Sequence, residues 1–132
     1  MDSKLEKQLV KKYKFLRRKD DGCSPYPMFG IECGDGWYAL LDDLCFYIER
    51  VLIGDKELAK EFRVAQIKEK YGTLRFYVYG GTDEIGALIS AAEVKSEKIC
   101  EDCGKRGKIV EVHGWLRTQC KKCAAAWKKE RS

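Results

Sequence analysis

Four cysteines near the carboxy end constrain this chain more than any other feature. Cys100-Glu101-Asp102-Cys103 and Cys120-Lys121-Lys122-Cys123 form C-x2-C-x16-C-x2-C. Two thiols two residues apart can aim both sulfurs at one tetrahedral ion, and a hairpin that joins two such knuckles closes a four-thiolate site. Lys108-Ile109-Val110-Glu111-Val112 and Trp115-Leu116-Arg117-Thr118 are strand-like around His113-Gly114, the layout of a zinc ribbon or treble-clef-like finger. Gly104 allows the tight turn that brings backbone amides toward sulfur. Ala124 to Lys129 then reads as a short helix, with Trp127 packed on the module and its lysines outward. A segment of about 30 residues buries too little apolar surface to fold alone, so the ion must supply its folding free energy. Four thiolates leave no open position for water. The expectation is therefore one structural Zn2+ held by Cys100, Cys103, Cys120 and Cys123. The competing readings are a redox dithiol pair and free thiols. A redox C-x-x-C belongs at a helix start after a strand in a thioredoxin-like pattern, which the sequence lacks. His113, the only histidine, reads as a polar turn residue rather than a ligand or general base, because four thiolates already complete the shell.

Residues 1–97 are left for a body. With 36% charged and 45% hydrophobic residues, the 132-residue chain has the balance of a folded protein and not of a disordered one. No apolar run approaches the roughly 18 residues of a membrane span. The charged start, Met1-Asp2-Ser3-Lys4-Leu5-Glu6-Lys7, has no apolar core of the kind a secretory signal needs. Seven cysteines without an export signal point to the reducing cytoplasm, where cysteine clusters mean metal or catalysis more often than disulfides. The formal charge of +5 is unevenly spread. Residues 1–18 hold seven Lys/Arg against two acids; residues 19–60 hold four against nine; residues 61–97 hold five against six; residues 98–132 hold ten against four. Two basic ends flank an acidic middle. Such ends suit an anionic partner: nucleic acid, a nucleotide or an acidic protein surface.

Ser3-Lys4-Leu5-Glu6 reads as a capping box, followed by Leu5, Leu9, Tyr13 and Leu16 at helical spacing, which predicts a basic helix over about 4–17. Met28 to Cys33 holds one short strand. Asp35 is placed to cap a central helix over about 36–52, whose stripe is Trp37, Leu40, Leu41, Leu44, Cys45, Ile48, Val51 and Leu52. Lys56 to Glu61 adds a helical turn. The period then changes to two, and a β-hairpin over about 63–79 turns at Lys70-Tyr71-Gly72 with a bulge. Leu74, Phe76 and Val78 face the core; Thr73, Arg75, Tyr77 and Tyr79 face away. Thr82 or Asp83 caps a last body helix over about 83–96, with Ile85, Leu88, Ile89 and Ala92 inward.

Outside the cysteine module, Cys45 lies on the apolar stripe and reads as core. Cys33, near a helix start, could be a nucleophile but has no identifiable partner histidine and reads better as a structural thiol. Cys23 remains unassigned. Asp20-Asp21 and Asp42-Asp43 are adjacent in sequence, do not face one another on a helix, and read as solvated surface. The glycines at 30–36 and 80–81 match neither a P-loop nor a dinucleotide fingerprint. The candidate ligand face lies on the hairpin, where Lys68, Lys70, Tyr71, Arg75 and Tyr77 interleave aromatics with cations. Such a face can stack bases and hold phosphates, or be ordinary sheet surface if another element covers it.

The run Gln66 to Tyr77, with Ala92-Glu93 and Ser96, Cys100 to Gly104, Gly114 to Thr118 and Cys120 to Cys123, resembles small uncharacterised proteins found in phage and prophage genomes. Asp35-Gly36-Trp37-Tyr38-Ala39-Leu40-Leu41 is also similar to theirs, and the resemblance covers roughly residues 30–125. Many of those proteins have histidine where this chain has Cys123, an exchange that zinc tolerates. The resemblance implies a context, that of an accessory or host-takeover factor, and no particular chemistry.

The expected fold class is α+β, with helices packed on a small antiparallel hairpin or sheet (residues 1–97) and a zinc-ribbon-like module (residues 98–132). The expected function is a non-enzymatic zinc-containing binding protein, a phage accessory or counter-defence factor. Its partner is an anionic nucleotide-like molecule or a host protein, and no membrane. The first alternative is a DNA- or RNA-binding module using the finger and the basic termini. The second is a thiol- or carboxylate-dependent enzyme.

Overall fold

The computed structural model describes residues 1–17 and 30–130. Cys23, Asp20-Asp21 and the Met28-Phe29 part of the first expected strand lie outside the described residues. The fold is α+β. Helix α1 (Ser3–Lys12) is followed by a 3-10 turn at Lys14–Leu16, strand β1 (Ile31–Glu32), a 3-10 turn at Asp35–Trp37, α2 (Tyr38–Ile53) and α3 (Lys56–Glu61). Then come β2 (Arg63–Lys70), β3 (Thr73–Tyr79), α4 (Asp83–Ser96), β4 (Lys108–Val112), β5 (Trp115–Gln119) and α5 (Lys121–Glu130). β1, β2 and β3 form one sheet in that order, β1 parallel to β2 and β2 antiparallel to β3; β4 and β5 form a separate hairpin.

The helical stripes build the core. Leu9, Leu41, Cys45, Ile48, Ile67, Leu74 and Ile85 are fully or almost fully buried, and Trp37 is a fully buried member of the same cluster. The α2 and α4 stripes expected from sequence are both inward. The edge strand β3 is closed by α4. Its outward amides at Leu74 and Phe76 donate to Ser96 Oγ (2.9 Å) and Glu93 Oε2 (3.1 Å), so the edge offers no free ladder there to another strand.

The amino-terminal helix differs from the expected 4–17. It stops at Lys12, and Tyr13 turns extended with φ −122°. Tertiary contacts override the local periodicity here. The Tyr13 hydroxyl reaches the Asp42 backbone carbonyl and carboxylate on α2, and Phe15 sets its ring edge-on to Phe62 at 5.7 Å. The expected capping box is also replaced. Asp2, not Ser3, caps the helix by accepting the Lys4 amide at 2.8 Å, and Glu6 reaches away to accept the Ile31 amide at 2.9 Å. Asp35 does not cap α2; its carboxylate accepts the Asp2 amide at 2.7 Å. The hairpin turn has two residues, not three. Tyr71 (φ 53°) and Gly72 (φ 84°) both take left-handed values, as a type I′ turn requires, and the bulge lies instead between Val64 and Gln66.

Candidate metal centre

Cys100 ends the irregular link after α4, and Cys103 closes the first knuckle. Within it, the Gly104 amide returns to the Cys100 carbonyl at 2.9 Å and Lys105 presents its backbone N–H to the Cys103 sulfur. Cys120 and Cys123 form the second knuckle at the start of α5. The Cys120 sulfur accepts the Cys123 amide at 3.4 Å, as a helix-capping oxygen would, and this contact leads the effects that hold its thiol down to about 7. The β4–β5 hairpin brings the knuckles together, and all four sulfurs lie within 4.8 Å of one another.

That spacing is a test of fit. Four sulfurs at about 2.3 Å from a central zinc lie about 3.8 Å apart along each tetrahedral edge. Cys103 and Cys120 are 3.7 Å apart, far beyond a disulfide bond, and all six described cysteines are free thiols. The donor set is thus arranged to hold one metal ion. His113 is not part of it. His113 occupies the exposed turn between β4 and β5 at φ 51°, beside Gly114 at φ 84°.

The module is fastened to the body through its first knuckle. The Gly36 amide donates to the Glu101 carbonyl (2.7 Å), the Gly34 amide to the Glu101 carboxylate (2.9 Å), and the Trp37 indole to the Ile99 carbonyl (2.8 Å). A second fastening joins the two hairpins. Thr118 on β5 donates to the Gly72 carbonyl at 2.6 Å, and a Cβ on Gly72 would stand 3.2 Å from the Arg117 backbone. Sequence reasoning missed the polar side chains that order this joint. Arg117 and Gln119 share one face of β5, and Asp102 accepts from both, at 2.9 and 2.6 Å. The Arg117 guanidinium also stacks 5.4 Å from the half-buried Trp127 ring on α5. Glu101 is buried at 4% exposure; burial raises its carboxyl pKa against the opposing charge of Arg117. The one available sequence signal was the alternation of Arg117 and Gln119 opposite two acids.

The hairpin candidates are only partly gathered. Lys68 and Arg75 are direct cross-strand partners, both half-buried, with Glu32 of β1 on the other side of Lys68. Tyr77, 41% exposed, pairs with Gln66 in the next row. Lys70 and Tyr71 sit apart at the turn, exposed, with the ammonium 5.8 Å from the ring centre. Of the other thiols, Cys45 is fully buried in the core, and burial pushes Cys33 up to about 12, the opposite of an activated nucleophile.

Fold and site together define an α+β protein carrying a four-cysteine cluster placed to bind one metal ion. No protein-family model, curated protein or solved structure matches the chain. Among the described residues no helix is long and apolar enough to cross a membrane.

Proposed function

We propose that this chain is a non-enzymatic binding protein, organised by one structural zinc ion, that takes an anionic nucleotide-like molecule on its β2–β3 face. Zinc is the ion that four thiolates at this spacing suit best, and a closed shell gives it a structural role. The observation that carries the ligand assignment is the Lys68–Arg75 pair. Like charges directly across a ladder repel, yet among the described residues neither has a carboxylate within ion-pair distance. A phosphate between them would relieve that repulsion, with Tyr77 beside them to stack a base. Lys70 and Tyr71 form the outer edge of the same face. The phage-accessory or host-takeover context rests on the sequence resemblance over residues 30–125, and the cytoplasmic location on the cysteine usage.

Native mass spectrometry of freshly purified protein reports zinc and any co-purified ligand together. Thermal-shift measurements with nucleoside monophosphates, diphosphates and cyclic phosphates should then give a rise in Tm that Arg75→Ala removes. No shift from any of them with zinc-loaded protein overturns the nucleotide reading. A second reading, nucleic-acid binding, is favoured by Trp115, 62% exposed beside the finger turn in a module rich in Lys and Arg. It requires affinity for a single-stranded oligonucleotide that falls steeply with salt and with Trp115→Ala.

A further inference from the structure

A second surface is built by elements far from the zinc module. The 3-10 turn after α1, the end of α2, α3 and the Arg63 end of β2 enclose a cleft of about 1300 Å³. Its apolar lining comes from Phe15, Leu52, Ile53, Phe62, Val64 and Tyr79. Two of these are large and open to solvent, Ile53 at 73% and Tyr79 at 68%. The rim is cationic. Lys12 and Lys60 have Asp42 and Glu57 as counter-ions. Lys11, Lys14, Arg17, Lys56 and Arg63 remain, and among the described lining residues Glu49 is the single acid. On β2 the lining runs from Arg63 to Ala65, three residues and about 10 Å short of Lys68, and none of Lys68, Lys70, Tyr71, Arg75 or Tyr77 lines it, so the two surfaces are different sites.

We infer that this cleft docks an acidic amphipathic helix from a partner protein. The volume exceeds the roughly 300–1,000 Å³ of a small-molecule pocket. It equals about three turns of a helix about 10 Å across. An apolar floor with an exposed Ile and Tyr at its edges suits the i, i+3, i+4, i+7 side chains of such a helix. The excess of rim cations selects acidic residues on its flanks. A second copy presenting the same basic face would be repelled. A single-stranded nucleic acid would use stacking platforms in series, whereas this floor is mixed with aliphatic side chains. The inference does not depend on the hairpin face binding a nucleotide.

The test is fluorescence anisotropy with full-length, zinc-loaded protein. The probe is a labelled helical peptide of about 14 residues with Leu at i, i+3, i+4 and i+7 and Glu elsewhere. A scrambled peptide of the same composition is the control. The amphipathic peptide should bind and the scrambled one should bind at least tenfold more weakly. The exposed double variant Lys56→Glu/Arg63→Glu should weaken binding about tenfold, and Ile53→Ser should weaken it about fivefold. Lys98→Glu, outside the cleft, should leave it unchanged. Equal binding of the scrambled peptide, or loss on charge reversal without loss on Ile53→Ser, reduces the cleft to a charged surface and overturns the proposal. So does no binding, binding of a single-stranded oligonucleotide abolished by the same cleft variants, or dimerisation abolished by them in sedimentation.

Discussion

Gly36→Ala should separate the four-cysteine module from the body. A Cβ at residue 36 would stand 2.2 Å from the Cys100 carbonyl oxygen, 2.6 Å from that of Glu101 and 2.6 Å from the Gly104 nitrogen. All three are backbone atoms, so no rotamer change relieves the overlap. Restoring ordinary contacts requires a displacement of about 1 Å. The bonds from Gly36 to Glu101, Gly34 to Glu101 and Trp37 to Ile99 span 2.7 to 2.9 Å, and stretched by that much they no longer qualify as hydrogen bonds. Each contributes about 1 kcal/mol net, and the one to the buried Glu101 carboxylate contributes more, so the loss is about 3–5 kcal/mol. Urea unfolding monitored through Trp37, which is buried at the joint, measures it, with metal release to a coloured chelator recorded in parallel. Gly86→Ala is the matched control. Nothing lies within 4 Å of its Cβ on α4, and it should gain up to about 1 kcal/mol. A Gly36→Ala protein within about 1 kcal/mol of the parent, with unchanged metal retention, would refute the close-packed joint.

Three further outcomes follow from single contacts. Ser96→Ala strands the buried Leu74 amide and should cost about 1–3 kcal/mol, with hydrogen exchange rising first at Leu74. For Asp42, burial works to raise the carboxyl pKa, but hydrogen bonds from Tyr13 and Lys12 outweigh it and the net shift is downward. Its stabilisation is therefore present above the unfolded value, near pH 4, and is lost as pH falls through the lowered folded value. The difference between wild type and Asp42→Asn in urea midpoint should accordingly shrink on acidification, and a constant difference would contradict the assignment. In alkylation with iodoacetamide at pH 8, peptide mapping should find Cys33 and Cys45 unmodified in the native protein and modified in urea, because both are buried and burial raises both thiols.

What the sequence made legible was whatever local chemistry decides. The α2 stripe, the switch to period two at residue 63, the Thr82 cap and the four-cysteine spacing each depend on residues close to one another, and each appears in the fold. What it concealed depends on distant partners. Tyr13 continues a helical stripe in sequence but leaves the helix because its hydroxyl meets Asp42, 29 residues on. Glu6 has the spacing of a capping box but is drawn to Ile31. Gly36 looks like one more loop glycine, and its reason is the approach of Cys100 and Glu101 across the joint. Glu93 and Ser96 look like ordinary positions on α4, yet they close the β3 edge.

The joint also couples the metal to the body. Glu101 lies between two metal-site cysteines, and its carbonyl and carboxylate are the groups that receive Gly36 and Gly34. Thr118, two residues before Cys120, holds the hairpin turn at Gly72. Closing the metal site therefore fixes the atoms that the body binds, and the docked body holds the knuckle in its metal-ready form. By reciprocity the two affinities rise together. A peptide of residues 98–132 lacks that support and should bind zinc up to about a hundredfold more weakly than the full chain, the equivalent of roughly 3 kcal/mol of lost joint energy. Competition against a calibrated chelator measures both affinities. In the full chain, Gly36→Ala should lower zinc affinity toward the peptide value, while Gly86→Ala should not. Equal affinities for peptide and chain would mean that the module folds around its metal without help from the body.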